Sequence, residues 1–404
     1  MRIIFFAGKG GVGKTSMAAA TGIKTSRMGY NTVIMSLDIA HSLSDIFDLA
    51  KDLLDQNKGK PIRIKNKLWI QELDINKEIE ENWGDIHKYI SLLLNTTGLD
   101  EVLAEEISIL PGMEEVSLLL YINRYIEENR FDVIILDCAP TGESLRFISI
   151  PTSLEWYIKK IFRIEKTIAK YVGPITQRIY NVPMPDQSYF DAVESLFKRL
   201  KGVDQVLVDP KVTSVRLVTN PEKIVLKETQ RAFMYFCLYQ MSTDAIIMNR
   251  IIPEDIKDSY FKDWRKSQSK YIEKAKEYFS PIPIFMVNLF RGEILGYEYL
   301  KELSDQMYNG ENPLKYFYQG KPYSIIKEKG QYQIQIKLPF IAKDDIEINK
   351  VSDELILRLG GFRKNILLPR QVAASKSVKA RYEGENLFIY IKKGDDHEKR
   401  EDEG

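Results

Sequence analysis

Cysteine is nearly absent: Cys138 and Cys237 are the two in 404 residues, far apart and each in apolar surroundings. No CxxC pair and no cluster of three occurs, which argues against a disulfide framework and a thiolate zinc or soft-metal site. Excess charge of either sign is missing too. Lysine and arginine number 58 against 57 acidic residues, a formal net charge of +1. No global field therefore draws the chain towards nucleic acid or anionic membrane. No uninterrupted apolar run approaches the length of a membrane span. The amino terminus runs straight into an apolar stretch and a glycine-rich loop, which leaves no room for a signal peptide. These absences predict a soluble, cytoplasmic protein that binds no nucleic acid. Its length predicts more than one domain.

What is present has two patterns. Up to about residue 310, short apolar runs alternate with stretches at helical spacing. The runs are Ile3–Phe6, Thr32–Leu37, Val133–Leu136, Ser214–Thr219, Ala245–Met248 and Ile282–Val287, and the helical stretches include Glu114–Glu128, Leu154–Val172 and Glu222–Tyr239. Such alternation predicts an α/β fold with a mainly parallel sheet flanked by helices; it does not give the strand order. After the turn-rich "YNGENP" (Tyr308–Pro313) only strand signals remain. Tyr332, Ile334, Ile336 and Leu338 alternate with polar neighbours, as do Leu355, Leu357 and Leu359, and Leu387, Ile389 and Ile391. This predicts a C-terminal antiparallel all-β sandwich. The tail "GDDHEKREDEG" contains no apolar residue and is expected to be disordered.

The loop Gly8-Lys9-Gly10-Gly11-Val12-Gly13-Lys14-Thr15, followed by Ser16, satisfies GxxxxGK[ST] between a strand and a helix-forming run. Glycines at these positions let backbone N–H groups turn inward around phosphates, at the N-terminus of the next helix. Lys14 is placed to reach the β- and γ-phosphates of ATP, and Thr15 to ligate Mg²⁺. Lys9 has no part in that minimal loop.

GKGGVGKT resembles the deviant phosphate loop of a family of dimeric ATPases, whose extra lysine reaches the nucleotide held by the other subunit. The resemblance implies the same for Lys9: a cation delivered in trans, and hence a homodimer. Further segments are similar to the arsenite-pump (ArsA) and tail-anchored-protein targeting ATPase superfamily. They include Ser36–Phe47, Leu103–Val116, Asp132–Pro151, Val208–Arg231, Ile246–Arg250 and Leu289–Leu300. By this resemblance Asp38 orients the attacking water and lies near the metal, and Asp137 holds Mg²⁺ directly or through water. Glu222 and Asn249 contact the adenosine, and the loop from Leu289 and Phe290 to Gly296 lines its adenine side. The sequence departs from the family at Ile39, often proline, at Cys138, often threonine, and at Glu143, which replaces a histidine of the second switch.

The resemblance also implies domains. Residues 1–310 form the ATPase, with client-facing helical parts at about 80–130 and 151–205. Residues 311–320 are a linker, 321–393 the sandwich and 394–404 the tail. Within Pro151–Lys201, Leu154, Ile158, Ile161, Ile168 and Val172 share one helical face beside Lys159, Lys160, Arg163, Lys166 and Lys170. That face reads either as a wall for a hydrophobic or tail-anchored client, with a membrane receptor for delivery, or as an ordinary packed helix. Ile334–Pro369 and Ala380–Ile391 resemble the α-crystallin domain of small heat-shock proteins. The rivals to a targeting ATPase are an arsenite-pump motor, disfavoured by the missing cysteines, a partitioning ATPase on membrane or DNA, and a chaperone or adaptor that ATP merely locks.

Overall fold

The computed structural model describes residues 1–36, 42–49, 59–95, 113–138, 186–328, 331–351, 354–360, 362–368, 372, 375 and 378–392. Asp38, Ile39, Glu143, the stretch Leu154–Val172 and the acidic-basic tail lie outside these residues.

Eight strands form one sheet in the order β3-β4-β2-β5-β1-β6-β7-β8. They are β1 Arg2–Ala7, β2 Thr32–Ser36, β3 Ile62–Lys65, β4 Leu68–Glu72, β5 Val133–Asp137, β6 Thr213–Thr219, β7 Thr243–Ile251 and β8 Ile284–Asn288. Every neighbouring pair is parallel except β3 and β4. β1 is buried along its whole length, and its side chains part by strand periodicity. Ile3 and Phe5 join one apolar layer, Ile4 and Phe6 the other.

Helices α1 Lys14–Arg27, α2 Ser42–Ile46 and α10 Gly296–Tyr308 cover the second layer. The first is covered mainly by α5 Met113–Glu127, α6 Gln187–Leu200, α7 Val203–Val208, α8 Lys223–Leu238 and α9 Lys262–Phe279. Next to them, α3 Ile75–Glu78 passes through a π-helical turn, Ile79–Trp83, into α4 Gly84–Asn95. α6 illustrates how sequence sets these elements. Asp186 caps its start by accepting from Tyr189 N at 3.0 Å, while Phe190, Val193, Leu196 and Leu200 recur at helical spacing and are buried.

The sandwich pairs a four-stranded sheet, β14-β15-β10-β9, with a three-stranded one, β11-β12-β13. Its strands are β9 Tyr323–Glu328, β10 Gln331–Lys337, β11 Ile346–Val351, β12 Glu354–Leu359, β13 Phe362–Leu367, β14 Val378–Glu383 and β15 Asn386–Lys392. The alternating residues of the sequence, from Tyr332 to Ile391, fill its core. Met234 and Leu238 of α8 belong to that same core, and Tyr235 packs its ring 4.8 Å from that of Phe362. One helix thus buries one face on the parallel sheet and another on the sandwich.

Lys364 of β13 lies 3.8 Å above the Tyr239 ring at this junction, and burial lowers its pKa from 10.5 to about 8. Between those values the unfolded chain binds more protons than the folded one, so stability rises as pH increases across that window. Below pH 8 the full cost of burying the ammonium remains, partly offset by the ring. Lys364→Met is therefore expected to be more stable than the parent at pH 7, on the order of 2 kcal/mol. Denaturant titrations should show that advantage shrinking as pH approaches 10.5.

The chain from α10 to the sandwich is strapped to the N-terminal rim of the parallel sheet. Arg216 is fully buried; its guanidinium donates to Tyr308 OH at 2.7 Å, to Pro313 O at 2.6 Å and to Asp244 Oδ1 at 3.3 Å. Arg2 donates to the other oxygen of Asp244 at 3.1 Å and stacks 3.9 Å from the Tyr316 ring. Ser242 Oγ donates to Gly320 O at 3.1 Å.

Candidate active site

β1 ends at Ala7 and α1 begins at Lys14, so residues 8–13 turn at the C-terminal edge of the sheet, between β5 and β6. Close approach dictates two of the glycines. A Cβ on Gly8 would lie 2.2 Å from Val218 O of β6, and one on Gly13, where φ is +96°, would lie 2.6 Å from Asn249 Nδ2. The α1 N-terminus has neither a side-chain cap nor an acidic residue in its first turn. Its leading N–H groups and the positive end of its dipole favour an anion there. Lys9, Gly10 and Gly11 are exposed at the tip, whereas Val12 is buried and its carbonyl accepts from Asn249 Nδ2 at 2.8 Å.

Cationic, hydroxyl and carboxylate groups converge beside this loop. Lys14 Nζ donates to Lys9 O at 3.3 Å, which folds the side chain back along the loop. Thr15 Oγ1 donates to Asp137 Oδ2 at 2.6 Å. Asp137 is buried at the end of β5, in register with Phe6 of β1 and Ser36 of β2. Burial first and Asp137 second push the neighbouring Cys138 thiol well above its ordinary pKa, while Lys14 pulls the other way. A hydroxyl and a carboxylate on one side of a glycine cradle, with an ammonium on the other, suit a phosphate chain carrying a hard, oxygen-seeking cation.

A pocket of about 600 Å³ opens from the loop. Gly13, Ser16, Asn249, Leu289 and Phe290 line it, joined by Asp45 and Ile46 of α2 and by Arg250 and Asn288. Asn249 is held at the end of β7 by an unusual turn. Arg250 has a φ of +58°, its N–H donates to Asn249 Oδ1 at 2.8 Å, and Gln268 of α9 donates to its carbonyl at 3.0 Å. A strained non-glycine residue beside a pocket is the pattern of a backbone held for function. Glu222, expected at the adenosine, stands exposed just before α8 and is not among the residues that line this pocket. Asp38 belongs to residues 37–41, outside those described. Asp45 falls inside the Ser36–Phe47 segment but nothing in the sequence singles it out, and nothing marks Asn288.

A strand-loop-helix phosphate site at the head of a central parallel strand defines a nucleotide-binding P-loop protein. A model of the anion-transporting ATPase family (ArsA) matches residues 1–309, and one for an HSP20-like domain found in ArsA matches residues 329–391. The chain belongs to the anion-transporting ATPase family and is an ATPase. An Aquifex aeolicus protein named "Putative arsenical pump-driving ATPase 1" is 47% identical over 395 residues, covering 97% of this chain and all of the relative. A Chlorobaculum tepidum relative, named as an ATPase of the same kind, is 34% identical and is covered to 99%, as is this chain. The "ATPase get3" of Sclerotinia sclerotiorum is 27% identical over 314 residues, 76% of this chain and 89% of that protein. No helix among the described residues is long and apolar enough to cross a membrane.

Proposed function

We propose that the protein is a Mg²⁺-dependent, homodimeric ATPase that couples ATP binding and hydrolysis to capture or delivery of hydrophobic, membrane-destined proteins. The observation that carries the nucleotide part is the Thr15–Asp137 contact of 2.6 Å at the mouth of the glycine loop. In this reading Thr15 and Asp137 hold Mg²⁺, which neutralises charge on the phosphates, and Lys14 steadies the β- and γ-phosphates. Gly8 to Ser16 wrap the phosphates with N–H groups. Asn249, Leu289 and Phe290 take the adenine side, Glu222 contacts the adenosine, and Asp38 orients water.

Lys9 supports the dimer, because it is exposed at the loop tip, where a second subunit can meet it. Lys9→Ala is expected to abolish nucleotide-driven dimerisation and to lower turnover by about 1,000-fold or more, the range seen for cations delivered in trans. Light scattering and phosphate release check this; unchanged values for both remove the trans role. Asp38→Asn should keep ATP affinity and lose hydrolysis.

The names of the relatives favour a second reading, an arsenical-pump motor. The cysteines weigh against it. Both are buried; the Cys138 thiol is pushed well above its usual pKa and that of Cys237 to about 12, mainly by burial. Neither is poised as the thiolate that metalloid binding uses. Arsenite and antimonite are expected to leave turnover unchanged, and stimulation by either would favour the pump.

A further inference from the structure

We propose that Gln268 of α9 is a positioning residue for nucleotide recognition: it holds the turn at Arg250 that orients Asn249 between the glycine loop and the pocket. This rests on the reading above, in which Asn249 takes the adenine side. β6 stops at Thr219, in register with Met248, and the register of β7 with β8 shifts between Met248 and Ile251. The end of β7 thus runs beyond β6 and slips against β8. Ile251 O still accepts from Leu289 N at 2.8 Å. The carboxamide of Gln268 then brackets Ile251 as a strand would. Its Nε2 donates to Arg250 O at 3.0 Å, and its Oε1 accepts from Ile252 N at 3.0 Å.

Arg250 needs such support, because its φ of +58° is a conformation that side chains other than glycine's adopt only when their neighbours over-determine it. Neither amide in the chain of bonds can reverse. Gln268 must turn oxygen to the Ile252 N–H and nitrogen to the Arg250 carbonyl, or donor would face donor and acceptor face acceptor. Asn249 is bound in the same way: Oδ1 accepts from Arg250 N at 2.8 Å, and Nδ2 donates to Val12 O at 2.8 Å. The order runs from α9 through the turn to the glycine loop. Asn249 keeps one N–H and one oxygen lone pair, which suit a purine edge.

Gln268 is 7% exposed and is not among the residues that line the pocket, so its effect on nucleotide must pass through Asn249 and Arg250, which are. α9 has its own anchorage in Ala275 and Phe279, both buried in the apolar layer beneath the sheet, so it stays seated without these bonds. Thr15 and Asp137 contact each other apart from this chain of bonds, so the metal side of the site is untouched. What is lost is the fixed direction of the Asn249 amide, and with it contacts to the base.

The test measures Mg-ATP binding, turnover and amide hydrogen exchange in the full-length chain and its variants. Gln268→Met keeps the length and bulk of the side chain and loses both bonds. It is expected to weaken ATP binding about tenfold, in Kd and KM alike, with kcat within about threefold, the pattern of binding lost equally from ground and transition states. The Arg250 amide, whose acceptor is Asn249 and not Gln268, should exchange at least about fivefold faster. Gln268→Glu keeps an acceptor for Ile252 N but sets an oxygen against the Arg250 carbonyl, and should be impaired at least as much. It also serves if the methionine variant does not fold. Added to Asn249→Ala, Gln268→Met should weaken binding by less than about twofold more, because its effect passes through that residue.

Parental ATP affinity in both Gln268 variants, or additive losses in the double variant, overturns the positioning role. Unchanged exchange at the Arg250 amide overturns the route through the turn. Asn249→Ala by itself separates this from the functional reading. Parental affinity there removes Asn249 from the adenine side and Gln268 from nucleotide recognition with it. Weakened binding there, beside normal Gln268 variants, overturns the role of Gln268 alone.

Discussion

An Asp244→Ala variant is expected to lose about 3–5 kcal/mol of folding stability, the cost of breaking a buried ion pair from one side. Asp244 has no exposed side-chain surface and faces two guanidiniums, those of Arg2 and Arg216. Removing it leaves two like charges in one desolvated rim. Burial already holds Arg2 down at about 10, and the Arg216 charge pushes in the same direction. Asp244→Asn keeps the shape but loses the charge, and should be destabilised nearly as much. The comparison is Asp305, which bridges Lys24 and Arg27 with its side chain 45% exposed; removing it should cost less than about 1 kcal/mol. Urea titration of the three variants measures this. Equal, small losses at Asp244 and Asp305 would mean that the strap from Tyr308 to Gly320 does not depend on the buried network.

A Gly8→Ala variant is expected to lose at least about 100-fold in ATP affinity, or about 2.7 kcal/mol. The added methyl would meet the Val218 carbonyl at 2.2 Å. That carbonyl belongs to β6, locked between β1 and β7, so the loop must move and not the strand. Gly11→Ala is the control. Its φ of +76° makes any side chain strained, but nothing lies within 4 Å of the added carbon. Backbone strain of about 1 kcal/mol is then the whole effect, roughly fivefold in affinity. Titration with a fluorescent ATP analogue distinguishes the two. Equal losses would show that conformation, and not the seat on β6, shapes the loop.

The readable parts of this fold are those whose residues face a single kind of environment. β1 and β5 are continuous apolar runs because both faces are covered, and the sandwich strands alternate because one face is wet. β3 and β4 went unread for the opposite reason. β4 mixes Leu68 and Ile70 with buried Gln71 and Glu72, whose polar ends are met by Tyr125 OH and by the α2 amides. A buried polar residue satisfied by a distant partner has no local signature.

Strand ends shifted for related reasons. β7 runs from Thr243 to Ile251, beyond the apolar Ala245–Met248, because polar Thr243, Asp244 and Asn249 are buried with it. At the candidate site, the loop and Thr15 were legible because phosphate chemistry restricts local spacing, and Asp137 through the family resemblance. Asp45 and Asn288 were not, since the pocket assembles them from separate elements. The Arg2–Asp244–Arg216 rim was invisible as well: its members are dispersed along the chain, and only the strand order brings them together.

The most direct test of the proposed function is co-expression with a tail-anchored membrane protein, followed by purification with and without Mg-ATP. A soluble complex is expected, whose yield changes with nucleotide and which disappears when the client's transmembrane segment is replaced by a polar sequence. Failure to capture the client, with nucleotide-driven dimerisation intact, would contradict the coupling to hydrophobic proteins and leave an ATPase acting on other partners.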